Sequence, residues 1–214
     1  MIRFSTLMMF LFILCMVGFT LYFYPKLPQR MAAHWNAQGQ VDGFLPKAVN
    51  LSILPVTAVL LTFLFLGLVQ IDPMRRNIQQ FRSYYDGFIF IVLALLAAIQ
   101  AYIIAWNLGI KIRMNILMPL LLSLLFFGMG CILDKVKSNW FIGIRTPWTF
   151  SSPTVWKKTH LWGAILFKLA AAVVLLGVIW EQYAIVFVLV PILVASLITI
   201  ILSYVFYKQQ SSLH

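Results

Sequence analysis

Six long apolar runs, each closed off by charge, proline or aromatic residues, limit this chain to one kind of fold. A hydrocarbon layer of about 30 Å takes about 20 helical residues to cross, at roughly 1.5 Å per residue. The runs Phe4 to Tyr24, Val49 to Ile71, Gly87 to Trp106, Met114 to Leu133, Leu161 to Trp180 and Tyr183 to Phe206 all meet that length. A backbone inside lipid has no water to bond, so each run must satisfy its own N–H and C=O groups as a helix. The composition agrees: 63% of the 214 residues are hydrophobic and 10% are charged, where a soluble domain has about 45–50% and about 25%. The expected fold is therefore an all-α membrane protein of six transmembrane helices, with no soluble catalytic core.

Arg3 ahead of an apolar stretch could begin a secretory signal. The stretch is longer than a signal's apolar region of about 7–15 residues and ends in Tyr22-Phe23-Tyr24-Pro25, so it reads as an uncleaved first helix. Only Glu181 and Gln182 separate the last two runs, which makes those helices antiparallel neighbours. Cys15 and Cys131 fall inside runs, where they are expected to pack as buried thiols. Gln100, deep in the third run, needs a helix-to-helix hydrogen bond. Lys168 lies about two turns inside the fifth and either snorkels to the surface or meets a carboxylate such as Asp86 or Asp134. Ala94, Ala97, Ala98, Ala101 and Ala105 form a smooth stripe suited to close packing on a neighbouring helix.

The net charge of +11 borders the runs and forms no soluble basic face, so direct nucleic-acid binding is not expected. Arg3, Arg75, Arg76, Arg82, Lys135, Lys137, Arg145, Lys157, Lys158 and Lys208 fall on one side of the membrane and outnumber Lys26, Arg30, Lys47, Lys111 and Arg113 on the other. Positive charge is retained on the cytoplasmic side, which predicts that both termini are cytoplasmic. The chain divides into an N-terminal half, residues 1–110, and a C-terminal half, residues 111–214, each with three helices and a long loop after its first helix. Transporters built from inverted repeats have that arrangement, but these halves share little beyond helix number and loop position.

Two loops carry more pattern than a linker needs. In the outer one, His34, Trp35 and Asn36 precede Gly39, and Asp42-Gly43 is a strong turn dipeptide. The loop reads either as a small cap with a recognition surface or as a hairpin anchored at the headgroups by Trp35. In the inner one, Asn139, Gly143, Arg145, Thr146, Pro147, Trp148 and Thr149 lead to Ser152-Pro153, an N-cap and N1 pair that starts a helix running into the fifth span. Trp156, Thr159, His160 and Gly163 share one face of that helix. Arg145, with Trp140 and Trp148 near it, suits a phosphate headgroup, an aromatic face or a partner carboxylate; an amphipathic anchor on anionic lipid is the competing reading.

The sequence has no His-Glu-x-x-His, paired intramembrane Asp or nucleophile elbow, so neither catalytic residues nor a metal or other cofactor are expected. A small transporter or channel is the alternative function, although Gln100 and Lys168 make a thin polar pathway.

The run Gly143-Ile144-Arg145-Thr146-Pro147-Trp148-Thr149, followed by Val155-Trp156-Lys157 and Thr159-His160, resembles the SdpI family of bacterial membrane immunity proteins. The outer loop, with Pro28, His34-Trp35-Asn36, Gly39, Asp42-Gly43 and Lys47, is similar to the N-terminal domain that accompanies such proteins. The resemblance implies a multi-pass protein of the bacterial cytoplasmic membrane that protects its cell from a secreted, membrane-active peptide toxin. It also implies signalling, in which a cytoplasmic transcriptional repressor is held at the membrane. The toxin- or partner-binding residues would then be His34, Trp35, Asn36, Gly39 and Asp42 outside, and Asn139, Gly143, Arg145, Thr146, Pro147, Trp148, Thr149, Trp156 and His160 inside.

Overall fold

The computed structural model describes residues 3–211. Six helices in it are long and apolar enough to cross a membrane. They are α1 (Phe4–Phe23), α2 (Lys47–Ile71), α4 (Arg82–Asn107), α5 (Met114–Leu133), α7 (Pro153–Val174) and α9 (Ala184–Ser211). Their outer faces stay apolar: Leu14, Leu60, Leu124 and Leu193 are each more than half exposed, which suits lipid as the surrounding solvent. Short α3 (Arg75–Gln80) and α6 (Pro147–Ser151) lie in the connections, and α8 (Leu176–Ile179) completes the fifth apolar run after α7. α3 and α6 were illegible in the hydropathy pattern because they are too short to form a run.

α1, α2 and α4 pack together, α7 packs along both α5 and α9, and α4 meets α5 to join the two groups. The turn at Glu181–Tyr183 returns α9 antiparallel beside α7 and α8, as expected from its length. Proline enters three of the helices, at Pro55, Pro119 and Pro191. Pro55 has no N–H, so the Leu51 carbonyl loses its helical donor. Gln100 replaces it: Nε2 donates to the Leu51 carbonyl at 3.2 Å and to Thr20 Oγ1 at 3.1 Å, binding α4 to α2 and α1.

Two expectations about buried groups need correction, and one of the two alternatives for Lys168 is ruled out. Cys15 and Cys131 are exposed on helix surfaces, not packed inside. Asp86 is held by Arg82 at 2.6 Å and by Ser5 at 2.6 Å, and Asp134 by Lys135 at 2.8 Å. Neither pairs with Lys168, which makes no ion pair among the described residues. The alanine stripe splits: Ala97 joins the core of the first helix group, whereas Ala94 and Ala98 line a cavity of about 300 Å³ against Leu121 and Leu125 of α5.

The outer loop is a two-stranded antiparallel hairpin, β1 (Arg30–Trp35) and β2 (Val41–Pro46). Its reversal lies at Asn36–Gln40, where Asn36 Oδ1 accepts from the Gln38 and Gln40 N–H groups and Gly39 takes φ +74°. Asp42-Gly43, the stronger turn dipeptide locally, lies within β2 instead, with Gly43 opposite His34. Gly43 is needed for clearance, since a Cβ there would come within 2.8 Å of His34 Cβ.

Candidate functional site

The two patterned regions stand at opposite ends of the helix bundle. At the end that carries the start of α1 and the finish of α9, residues 134–152 fold into a clamp. Asn139 is 0% exposed and organises the first turn: Oδ1 accepts the Phe141 and Ile142 N–H groups, and Nδ2 donates to the Lys137 and Ile142 carbonyls. Gly143 follows at φ +106°, where an added Cβ would collide with His160 Nε2. That nitrogen accepts the Ile144 N–H at 3.0 Å. Thr146 then N-caps α6 in a capping box with Thr149, and Thr149 Oγ1 also donates to the Ile144 carbonyl at 3.0 Å.

α7 starts where Ser152-Pro153 predicts, with Ser152 Oγ accepting the Thr154 and Val155 N–H groups. Its predicted face of Trp156, Thr159, His160 and Gly163 is buried. Trp156 stacks on His160 at 4.2 Å between ring centres and donates through Nε1 to the Val136 carbonyl at 2.9 Å. The clamp is thus closed on both sides by α7.

Of the inner candidates, Asn139, Thr146, Thr149, Trp156 and His160 are buried and spend their polar groups on one another, on the backbone or, for Thr146, on Ser203 of α9. They build the clamp and are not open to a ligand. Arg145 and Pro147 are exposed, beside exposed Trp140 and Phe150. Arg145 Nη1 donates to the Trp140 carbonyl. The aromatic partners expected for its guanidinium are engaged elsewhere: Trp140 lies against Phe150 and Trp148 against Tyr204.

Long-range ties that sequence reasoning missed hold the clamp to other helices. Asp72, 2% exposed at the end of α2, accepts the Met74 N–H at 2.6 Å and the Trp140 N–H at 3.0 Å. Asn77 donates to the Ser138 carbonyl at 2.8 Å. From α9, Ser203 accepts from Thr146 at 3.0 Å and Gln210 accepts from Ser152 at 2.6 Å. Beside the clamp an apolar cavity of about 240 Å³ lies between Phe65 and Phe88 of one helix group and Met129 and Phe167 of the other.

At the opposite end, the hairpin is seated on the helices. Asn107 acts as a short stretch of strand toward Ala32, accepting its N–H at 2.8 Å and donating to its carbonyl at 3.2 Å. Asn50 donates to the same carbonyl at 3.0 Å. Trp35 packs its ring against Tyr102 and Trp106, so it anchors the hairpin to protein and not to headgroups. His34 Nδ1 lies 2.5 Å from Asp42 Oδ1 on the exposed face. Asn36 and Gly39 shape the turn, and Asn115 of α5 reaches up to the Ala37 carbonyl at 3.3 Å and across to the Glu181 carbonyl at 3.1 Å. An Asn two to four residues before its own acceptor-bound amides, followed by Gly, was the one local signal of this turn.

Residues 135–205, which hold the clamp, α7 and most of α9, match the SdpI/YfhL protein family. Residues 11–59, which hold most of α1, the hairpin and the start of α2, match a domain family of unknown function, DUF1648. The chain is 23% identical over 187 residues to the immunity protein SdpI of Bacillus subtilis (strain 168), a match covering 87% of each chain. No solved structure matches it. With a built clamp in the matched region and six helices able to cross a membrane, the chain is a multi-pass membrane protein that is similar to the SdpI/YfhL family over residues 135–205.

Proposed function

We propose that this chain is an immunity protein of the bacterial cytoplasmic membrane that protects its cell from a secreted, membrane-active peptide toxin. The observation that carries the reading is the reach of the similarity to an immunity protein, which takes in 87% of the chain and so both patterned ends. The two halves, residues 1–110 and 111–214, then have separate tasks: the hairpin end meets the peptide, and the clamp end faces the cytoplasm.

The orientation rests on charge. Arg75, Arg76, Lys135, Lys137, Lys157 and Lys158 gather at the end of the bundle that holds the start of α1 and the finish of α9, and the positive-inside rule supports a cytoplasmic setting for that end. The exposed edge of Trp140, Arg145, Pro147 and Phe150, next to Lys157 and Lys158, suits a cytoplasmic protein partner, of which a transcriptional repressor is the signalling form. Transport fits less well, because Gln100, Thr62 and Ser123 inside the helices already bond to helix carbonyls.

The test is survival. A toxin-sensitive strain expressing the chain is challenged with cell-free culture medium from the source strain, and protection at dilutions that kill the vector control is expected. No protection overturns the reading. In the same assay Arg145→Ala is expected to insert normally and lose protection; full protection would remove Arg145 from the working surface.

A further inference from the structure

α1 and α4 both begin at the clamp end of the bundle, and between their first turns lies a cavity of about 420 Å³, a size within the range of about 300–1,000 Å³ common to ligand pockets. Arg3, Ser83 and Asp86 line it at the helix starts, and Gly87 and Phe90 carry it on along α4. From Ser83 to Phe90 that wall runs about 10 Å along the helix axis. Phe4, 77% exposed, adds an apolar wall from α1. The cavity is thus polar where the helices begin and apolar further along.

The polar end holds more donors than acceptors. Asp86, 4% exposed, already receives the Arg82 guanidinium and the Ser5 hydroxyl. Arg3 is held loosely: its Nε is 3.9 Å from Asp86 Oδ2, its Nη1 is 3.4 Å from Gln79 Oε1, and its side chain is 49% exposed. A guanidinium has more N–H donors than these contacts use. The Ser83 hydroxyl is exposed and makes no hydrogen bond among the described residues. Two arginines against one carboxylate leave one positive charge uncompensated.

A group that completes this cavity brings a single negative charge, acceptor oxygens and an apolar body. The phosphodiester of a membrane lipid brings all three, and it lies at this depth, because the starts of spanning helices mark the border of the hydrocarbon layer. A peptide carboxylate brings the charge, but the backbone behind it would lie along Gly87 and Phe90, where its N–H and C=O groups find no partner. An acyl chain has no such groups to satisfy.

We propose that this cavity is a phospholipid site: the phosphodiester oxygens accept from the Arg3 guanidinium and the Ser83 hydroxyl, and one acyl chain lies along Gly87 and Phe90. The bound lipid joins α1 to α4 beside the hydrogen bond from Ser5 to Asp86. The assignment does not depend on the immunity reading.

The experiment uses the full chain, purified in detergent, stripped of lipid and titrated with dioleoyl phosphatidylglycerol, with binding read by native mass spectrometry. Dioleoylglycerol, which lacks the phosphate, and glycerophosphate, which lacks the chains, are each expected to bind at least about tenfold more weakly. Arg3→Ala removes the uncompensated charge. Gly87→Leu fills the cavity from a position where an added Cβ meets nothing within 4 Å, so the helices keep their packing. Each is expected to weaken phosphatidylglycerol binding by about tenfold, whereas Arg76→Ala, at an exposed arginine of α3 that does not line the cavity, leaves it unchanged. An equal loss in Arg76→Ala would show general attraction to a basic surface, and unchanged binding in both Arg3→Ala and Gly87→Leu would place the lipid elsewhere. Glycerophosphate binding as tightly as the lipid would make this a site for free phosphate, and displacement of the lipid by an equal concentration of a short Glu-rich peptide would make it a peptide site. Any of these four results overturns the assignment.

Discussion

His160 accepts the Ile144 backbone N–H through Nε2 at 3.0 Å while its Nδ1 lies 2.8 Å from the Trp156 carbonyl. An amide only donates and a carbonyl only accepts, so these partners require the neutral ring with its proton on Nδ1. One imidazole thereby ties the loop after Gly143 to a helix that packs along two others. Most of the motif residues that stand out in the sequence are scaffold, and they hold exposed Arg145 and Pro147 in place.

His160→Ala leaves the Ile144 N–H without its acceptor and removes the ring stacked on Trp156. A loss of about 1–3 kcal/mol is expected, read as a lower thermal unfolding midpoint in detergent by tryptophan fluorescence. Gly143→Ala is expected to be at least as damaging, since a methyl at φ +106° meets the same ring. An unchanged midpoint in both would mean that the clamp is not closed by His160.

Asp72→Ala removes the acceptor that joins the end of α2 to the Trp140 N–H. Hydrogen bonds to a charged group are worth about 1.5–3 kcal/mol, so the segment from 134 to 146 should open more often. Trypsin cleavage at exposed Lys135 and Lys137 should quicken, with little change at Lys208. Equal cleavage rates in wild type and variant would show that Asp72 does not hold this loop.

Gln100 and Pro55 form a testable pair, because the amide compensates for the proline's missing N–H. Gln100→Leu is expected to cost about 0.6–2 kcal/mol. In a Pro55→Ala background the cost should be smaller, since an alanine there restores the helical donor to the Leu51 carbonyl and only the bond to Thr20 is lost. Additive costs in the double-mutant cycle would refute the coupling.

Orientation is read by thiol labelling in a background where Cys15 and Cys131 are replaced by alanine. Asp42→Cys and Arg145→Cys both lie at exposed positions at opposite ends. An impermeant maleimide should label the first in intact cells and the second only after the membrane is opened. Labelling of both in intact cells would overturn the assignment of the two ends.

How much was legible varies with how local the determinant is. The start of α7 was readable because Ser152 and Pro153 act on the amides directly after them. The buried face of α7 was readable because helical periodicity alone brings Trp156 to His160. The hairpin turn was readable only in part: Gly39 permits the left-handed turn it takes, but Asp42-Gly43 outranks Asn36–Gln40 on local propensity and lies within β2, which pairs with the strand seated through Ala32 on Asn107.

By itself the sequence determined the solvent and the elements: apolar runs of this length must be helices in lipid, since the backbone has no other way to satisfy itself there. Only the tertiary structure decided which polar residues are scaffold and which are exposed. Thr146 meets Ser203 across 57 positions of chain, Trp140 meets Asp72 across 68, and Ala32 meets Asn107 across 75. Those partners depend on which helices lie side by side and at what rotation, and hydropathy, being a property of each segment taken alone, carries neither.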